Sequence, residues 1–292
     1  MAQTVLKNGT IAVTVDSHGA EMVSLKDAQG QEYLWNADPA YWKRHAPVLF
    51  PLVGSLRDKQ YRLGGKLYPM NQHGFARDFE FSLLSAKEDE CWFRLAENMA
   101  TMTVYPYAFL LDIGYRIGEG WVENLWRVTN PASRPLHFSL GGHPAFVCPR
   151  KPGEKQSDYA LRFDTEAPLT CSVIGEGGLV DPTAAKTIAT KKGLLPIDDH
   201  LFDDDALIVE HDQAHRVSLV DPEGRDYLTV TFDAPLFGVW SCPGRQAPFV
   251  CIEPWYGRCD AADFTGSWEE RAWGNTLQPG EVFERSFRVT LG

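Results

Sequence analysis

The feature that most constrains this chain is a period-two rhythm: short runs alternate apolar with polar residues or are rich in β-branched side chains, and Gly, Pro, Asn or Asp closes each one. Thr10–Val15, Met22–Leu25, Cys91–Leu95, Ala108–Tyr115, Trp121–Val128, Val217–Val220 and Tyr227–Phe232 all follow it. Such alternation sends successive side chains to opposite faces of a strand, so each run can bury one face and wet the other. No long apolar stripe at helical spacing competes with it. The helical candidates are short, Pro39–Arg44 and Ser267–Ala272. The expectation is an all-β fold, a large antiparallel β-sandwich spanning residues 1–292 as one domain. Pro149–Asp158 and Gly175–Gly193 read as surface excursions, because strand-like sequence resumes after each. Asp198–Asp205, with five Asp in eight residues, reads as a solvated loop feeding a strand over Ala206–Glu210.

Charge and composition then narrow the function. With 28 Lys and Arg against 39 Asp and Glu, the formal charge of −11 repels phosphodiester backbones and anionic lipid, so neither nucleic acid nor membrane is an expected partner. The opening MAQTVLKNGTIAVTV lacks a basic segment followed by a continuous apolar run, and no later stretch approaches the roughly 20 apolar residues that span a bilayer. A cytoplasmic protein is expected. Cys91, Cys148, Cys171, Cys242, Cys251 and Cys259 form no CxxC pair, which argues for reduced thiols and against a structural zinc site. No cofactor is expected either, since GxGxxG after a strand, GxxxxGK[ST] and HExxH are all absent.

Four segments depart from ordinary strand sequence: Arg44–Arg57 (RHAPVLFPLVGSLR), His73–Asp78 (HGFARD), Gly141–Phe146 (GGHPAF) and Cys251–Trp255 (CIEPW). Each sets a polar or titratable group beside Gly, Pro or aromatic residues, which fix backbone angles or allow close approach. His73 follows a turn-like stretch and is expected where a strand begins at a sheet edge; taken alone, it reads equally as a surface histidine. His143 lies between two glycines and a proline, as either a buried structural histidine or a site residue. Glu253 interrupts the apolar run Phe249–Ile252. A carboxylate there must be partnered, as by Arg258, or turned outward, or functional with a raised pKa. Trp35, Tyr41, Trp42, Phe75, Phe79, Phe146, Trp240, Trp255 and Tyr256 cluster around these segments, and one or two of them could offer a flat face to a sugar ring.

In their order along nearly the whole chain, these segments resemble the aldose 1-epimerase (galactose mutarotase) family, with HGFARD and GGHPAF closest to its bacterial branch of hexose-6-phosphate mutarotase-like proteins. The resemblance implies a galactose mutarotase-like sandwich whose concave face binds a sugar, the expected small-molecule partner. It also implies a cofactor-free isomerase that interconverts α and β anomers. By position, His73 matches the first active-site histidine, His143 the general acid and Glu253 the general base. Arg44 fits the hexose-6-phosphate branch and Arg57 the galactose branch. Asp205, with Asp204 beside it, matches the aspartate that holds sugar hydroxyls. The sequence lacks the galactose branch's longer insert before HGF and reads Gly-His-Pro in place of an asparagine-rich neighbourhood, which leaves galactose preference open. Arg44, Arg57, Arg77 and Lys43 are the candidates for binding a phosphate. A non-catalytic carbohydrate sensor, and a hydrolase or lyase using Asp205 with Glu253 as its carboxylate pair, are the competing readings. A monomer or a homodimer is compatible with the sequence.

Overall fold

The computed structural model describes residues 2–292. All seven expected runs fall on strands, and every ladder between strands is antiparallel. A nine-stranded sheet runs in the order Leu194–Pro196, Ala160–Phe163, Arg216–Val220, Asp226–Phe232, Val282–Leu291, Trp121–Thr129, Leu110–Gly118, Glu90–Ala96 and Ser82–Ala86. An eight-stranded sheet runs through Val180–Ile188, Leu169–Ile174, Leu207–Val209, Leu236–Trp240, Phe249–Tyr256, Leu140–Gly142 and Val48–Leu49, with Ala145–Val147 also paired to Phe249–Tyr256. A three-stranded sheet, Gln3–Lys7, Ile11–Asp16 and Glu21–Asp27, adds Leu6, Val13 and Leu25 to the core.

Period-two alternation decides what lies between the sheets. In the nine-stranded sheet, Trp121–Thr129 alternates strictly between half-buried and buried, with Val122, Trp126 and Val128 turned inward. Strand Phe249–Tyr256 is buried along its whole length, because both of its faces are covered. Val250, Ile252 and Tyr256 join the main core with residues of the nine-stranded sheet, whereas Phe249, Cys251 and Trp255 belong to separate small clusters on the opposite face. Leu236–Trp240 repeats the division: Phe237 and Val239 enter the core, and Trp240 turns to the other face. The eight-stranded sheet therefore carries a packed core on one side and a second, concave surface on the other.

Two glycines shape that surface. Trp255 lies flat across the neighbouring strands; a Cβ built on Gly238 would stand 2.5 Å from its ring, and one on Gly141 would stand 2.7 Å away. At both positions glycine serves close approach, not an unusual φ.

The structure corrects several expectations. Pro39–Arg44 forms turns and no helix, and Ser267–Ala272 holds only the 3-10 turn Trp268–Glu270. Gly175–Gly193 is not merely an excursion: it contains the nine-residue edge strand Val180–Ile188, paired to Leu169–Ile174 across a register shift. The α-helix, Met99–Val104, had no apolar stripe to announce it, but Asn98 caps it by accepting the amide protons of Ala100 and Thr101. Among the described residues no helix is long and apolar enough to cross a membrane.

Replacing Gly238 with Ala forces Trp255 off the sheet. The expected cost is about 1–3 kcal/mol of unfolding free energy, as for other overpacked sites. Urea denaturation of the variant measures it, and unchanged stability would show that Trp255 is not clamped against this strand.

Candidate active site

The concave face holds a cavity of about 990 Å³, and five separate stretches of chain deliver its polar groups: Lys43–Lys59, Asn71–Asp78, and those carrying His143, Asp205 and Glu253. Glu253 comes from strand Phe249–Tyr256 on the face that carries Cys251 and Trp255. His143 comes from the bend after Leu140–Gly142, where its own amide donates to the Pro47 carbonyl at 3.1 Å. The two side chains meet, His143 Nε2 lying 3.3 Å from Glu253 Oε2. Glu253 is 1% exposed and His143 7%. The anticipated structural partner Arg258 is engaged elsewhere, with its Nε 2.6 Å from Glu210.

His73 corrects its expected setting. It does not begin a strand and is not on the surface; it sits buried in a turn with φ of 65°, within the left-handed region. Reciprocal hydrogen bonds hold it to Gly54: the His73 amide donates to the Gly54 carbonyl at 2.9 Å, and the Gly54 amide donates to His73 Nδ1 at 3.1 Å. An accepting Nδ1 places the proton of the neutral ring on Nε2, so His73 offers the cavity a donor. Gly54 itself needs its glycine, with φ of 72° and Cys259 so close that a Cβ would stand 2.5 Å from that side chain.

Aromatic rings enclose His143. Trp42 stacks on it at 4.7 Å between centroids, while Trp240 and His73 present edges at 5.6 and 5.5 Å. This packing takes water away, and desolvation disfavours charge. Burial, with the Arg77 charge next, holds His143 down to about 3, and burial also keeps His73 well below the usual imidazole range. Burial first, then the charge of Asp205, pushes the Glu253 carboxyl well above the ordinary carboxylate range. Burial therefore favours the uncharged form of both groups, which face one another at 3.3 Å.

Cations are prominent in the lining. Lys43, Arg44, Lys59 and Arg77 all line the cavity. Arg44 donates to Asp78 at 2.7 Å, and Arg77 donates to the Gln72 carbonyl at 2.7 Å while its buried Nε has no partner. Burial, then the neighbouring Arg44, lowers Arg77 to about 10. Asp205 lines the cavity in a left-handed turn with φ of 74°. Asp204 turns outward, with Lys186 3.4 Å away.

Arg57 lies outside the cavity, where its amide donates to Asp260 Oδ2 at 3.1 Å and its guanidinium to the Phe264 carbonyl at 3.1 Å. Lys59 lines the cavity in its place. Sequence reasoning also passed over Gly54, and only its position inside the already suspect PVLFPLVG run could have signalled it.

Comparison with known proteins agrees with this architecture. The family model described as Aldose 1-epimerase matches residues 2–290. The chain is 31% identical to the chromosomal LacX protein of Lactococcus lactis subsp. lactis, over 98% of each sequence. Among solved structures, it is similar to a galactose mutarotase related enzyme from Lactobacillus acidophilus, with 34% identity, TM-score 0.95 and coverage of 100% of this chain and 97% of that one. A galactose mutarotase-like protein from Lactobacillus casei is 30% identical, with TM-score 0.92 and full coverage of both chains. The chain, from its first strand to its last, belongs to the aldose 1-epimerase family.

Proposed function

We propose that this protein is a mutarotase that interconverts the α and β anomers of a phosphorylated aldose, with Glu253 and His143 exchanging the protons. The observation that carries this reading is the 3.3 Å contact between two buried, oppositely shifted acid–base groups inside a sugar-sized cavity. Ring opening removes a proton from the anomeric hydroxyl and gives one to the ring oxygen. Both oxygens are bonded to the same carbon, so the base and the acid must stand close together, as these two do.

A bound sugar restores the polarity that burial removed. The carboxyl proton then passes from Glu253 to His143 Nε2, leaving a carboxylate to take the hydroxyl proton and an imidazolium to protonate the ring oxygen. The C1 to ring-oxygen bond breaks, giving an open-chain aldehyde. Rotation about C1–C2 and closure with the roles exchanged deliver the other anomer. The Nε2 proton of His73 stabilises the oxygen on which charge develops. Trp255, flat on the sheet, supports the apolar face of the sugar ring.

The cationic lining favours an anionic substrate. In a chain of net charge −11, four cationic side chains around one cavity, one with an unpartnered buried nitrogen, suit a phosphate better than another hydroxyl. We place the activity in the cytoplasm, where the six unpaired cysteines stay reduced.

Polarimetry of freshly dissolved α-glucose, α-galactose and α-glucose 6-phosphate tests the reading. Glu253→Gln is expected to keep sugar binding and lose about 10²–10⁴-fold in turnover, the range typical of a positioned acid or base; full activity would remove Glu253 from the chemistry, and saturable binding with no acceleration by the unmodified protein would favour a sensor. Arg77→Gln is expected to lower kcat/KM for glucose 6-phosphate about 10- to 100-fold, as for loss of a charge-assisted hydrogen bond, with little effect on free glucose. Equal losses on both sugars would place Arg77 away from the phosphate. NMR of His143 in the free protein is expected to show no protonation between pH 5 and 8, since its pKa lies at about 3; titration in that range would contradict the neutral resting pair.

A further inference from the structure

Cys251 has no part in the proton exchange just described, yet it stands beside both groups that carry it. It lies two residues before Glu253 on strand Phe249–Tyr256, so alternation turns both side chains to the same face. Its strand neighbour across the ladder is Ala145, two residues after His143. One donor atom from each of His143, Cys251 and Glu253 lies within 4.8 Å of the other two, and all three residues are buried. Glu253 Oε2, fully buried and facing His143 Nε2, has no hydrogen-bond partner, and neither has His143 Nδ1.

The geometry points to a soft divalent-metal site formed by His143 Nε2, Cys251 Sγ and Glu253, in which zinc binds and switches off proton exchange. Tetrahedral zinc with bonds of about 2.0–2.1 Å to nitrogen and oxygen sets those two ligands about 3.3 Å apart. His143 Nε2 and Glu253 Oε2 already stand at 3.3 Å. The sulfur needs to approach only to about 3.6 Å from each, within reach of a side-chain adjustment. Binding releases the thiol and carboxyl protons to solvent. Zn²⁺ with one thiolate, one carboxylate and one neutral imidazole is then electrically neutral, which suits so buried a place. His143 and Glu253 line the cavity, which gives the ion a route in. Zinc ligands paired closely in sequence are absent; these three come together only through the ladder between two strands.

The inference rests on the catalytic reading for its inhibitory effect but not for binding, and cobalt spectroscopy separates the two. The full-length protein with Co²⁺ is expected to show thiolate-to-cobalt charge-transfer absorption in the near ultraviolet. Zn²⁺ is expected to displace the cobalt and to stop anomerisation until a chelator is added. Cys251→Ala is expected to abolish the absorption and weaken Zn²⁺ binding by at least about 100-fold, the upper end of what loss of even an outer partner of a metal ligand costs, while retaining metal-free anomerisation. Cys242→Ala, a change at the half-buried neighbouring cysteine, is expected to leave the band in place. No thiolate band in the unmodified protein, or an unchanged band and Zn²⁺ affinity in Cys251→Ala, would overturn the assignment. Absence of mutarotase activity alongside a Cys251-dependent band would overturn only the catalytic reading.

Discussion

Everything at the site depends on one strand being buried on both faces. Phe249–Tyr256 runs through the eight-stranded sheet with a packed core beneath it and an aromatic-lined cavity above. Even-numbered residues from Val250 to Ile252 anchor it in the core, where full burial of a Val or Ile side chain is worth about 1.5–3 kcal/mol. That anchoring fixes the odd-numbered side chains, and Glu253 is therefore held in a place where a free carboxylate would be costly. The strand supplies both the position of the group and the reason for its unusual acidity.

His143 meets it under the same constraint. Trp42, Trp240 and His73 surround the imidazole and exclude water, and Arg77 and Arg44 add positive potential. Two groups that each resist charge, placed 3.3 Å apart, both favour their neutral forms. The arginines also oppose a charged imidazole, and Asp78 takes up part of the charge of Arg44. Arg77, whose buried Nε has no partner, lines the cavity as well.

Much of this was legible in the sequence because strand alternation is a local property. Runs such as Trp121–Val128 showed their inward faces directly, and CIEPW exposed Glu253 as a carboxyl in an apolar strand. Glycine context drew notice to His143 but left it either a buried structural histidine or a site residue. Tertiary placement was not legible. Arg44 and Arg57 flank the same motif, yet Arg44 lines the cavity while Asp260 and Phe264, far along the chain, hold Arg57 outside it. His73 looked like the start of a strand because the left-handed turn that buries it is stabilised by Gly54, a residue 19 positions away. The edge strand Val180–Ile188 hid within polar sequence because most of its length is exposed and carries no alternation to read.

The central claim is that Glu253 and His143 act as one proton-exchanging unit. A double-mutant cycle on the anomerisation rate tests it most directly, with Glu253→Gln and His143→Gln measured singly and together. Groups that act as one unit are strongly non-additive, so the double variant is predicted to be no slower than the worse single variant. Losses that add in free energy would show that the two residues act independently and would contradict the account.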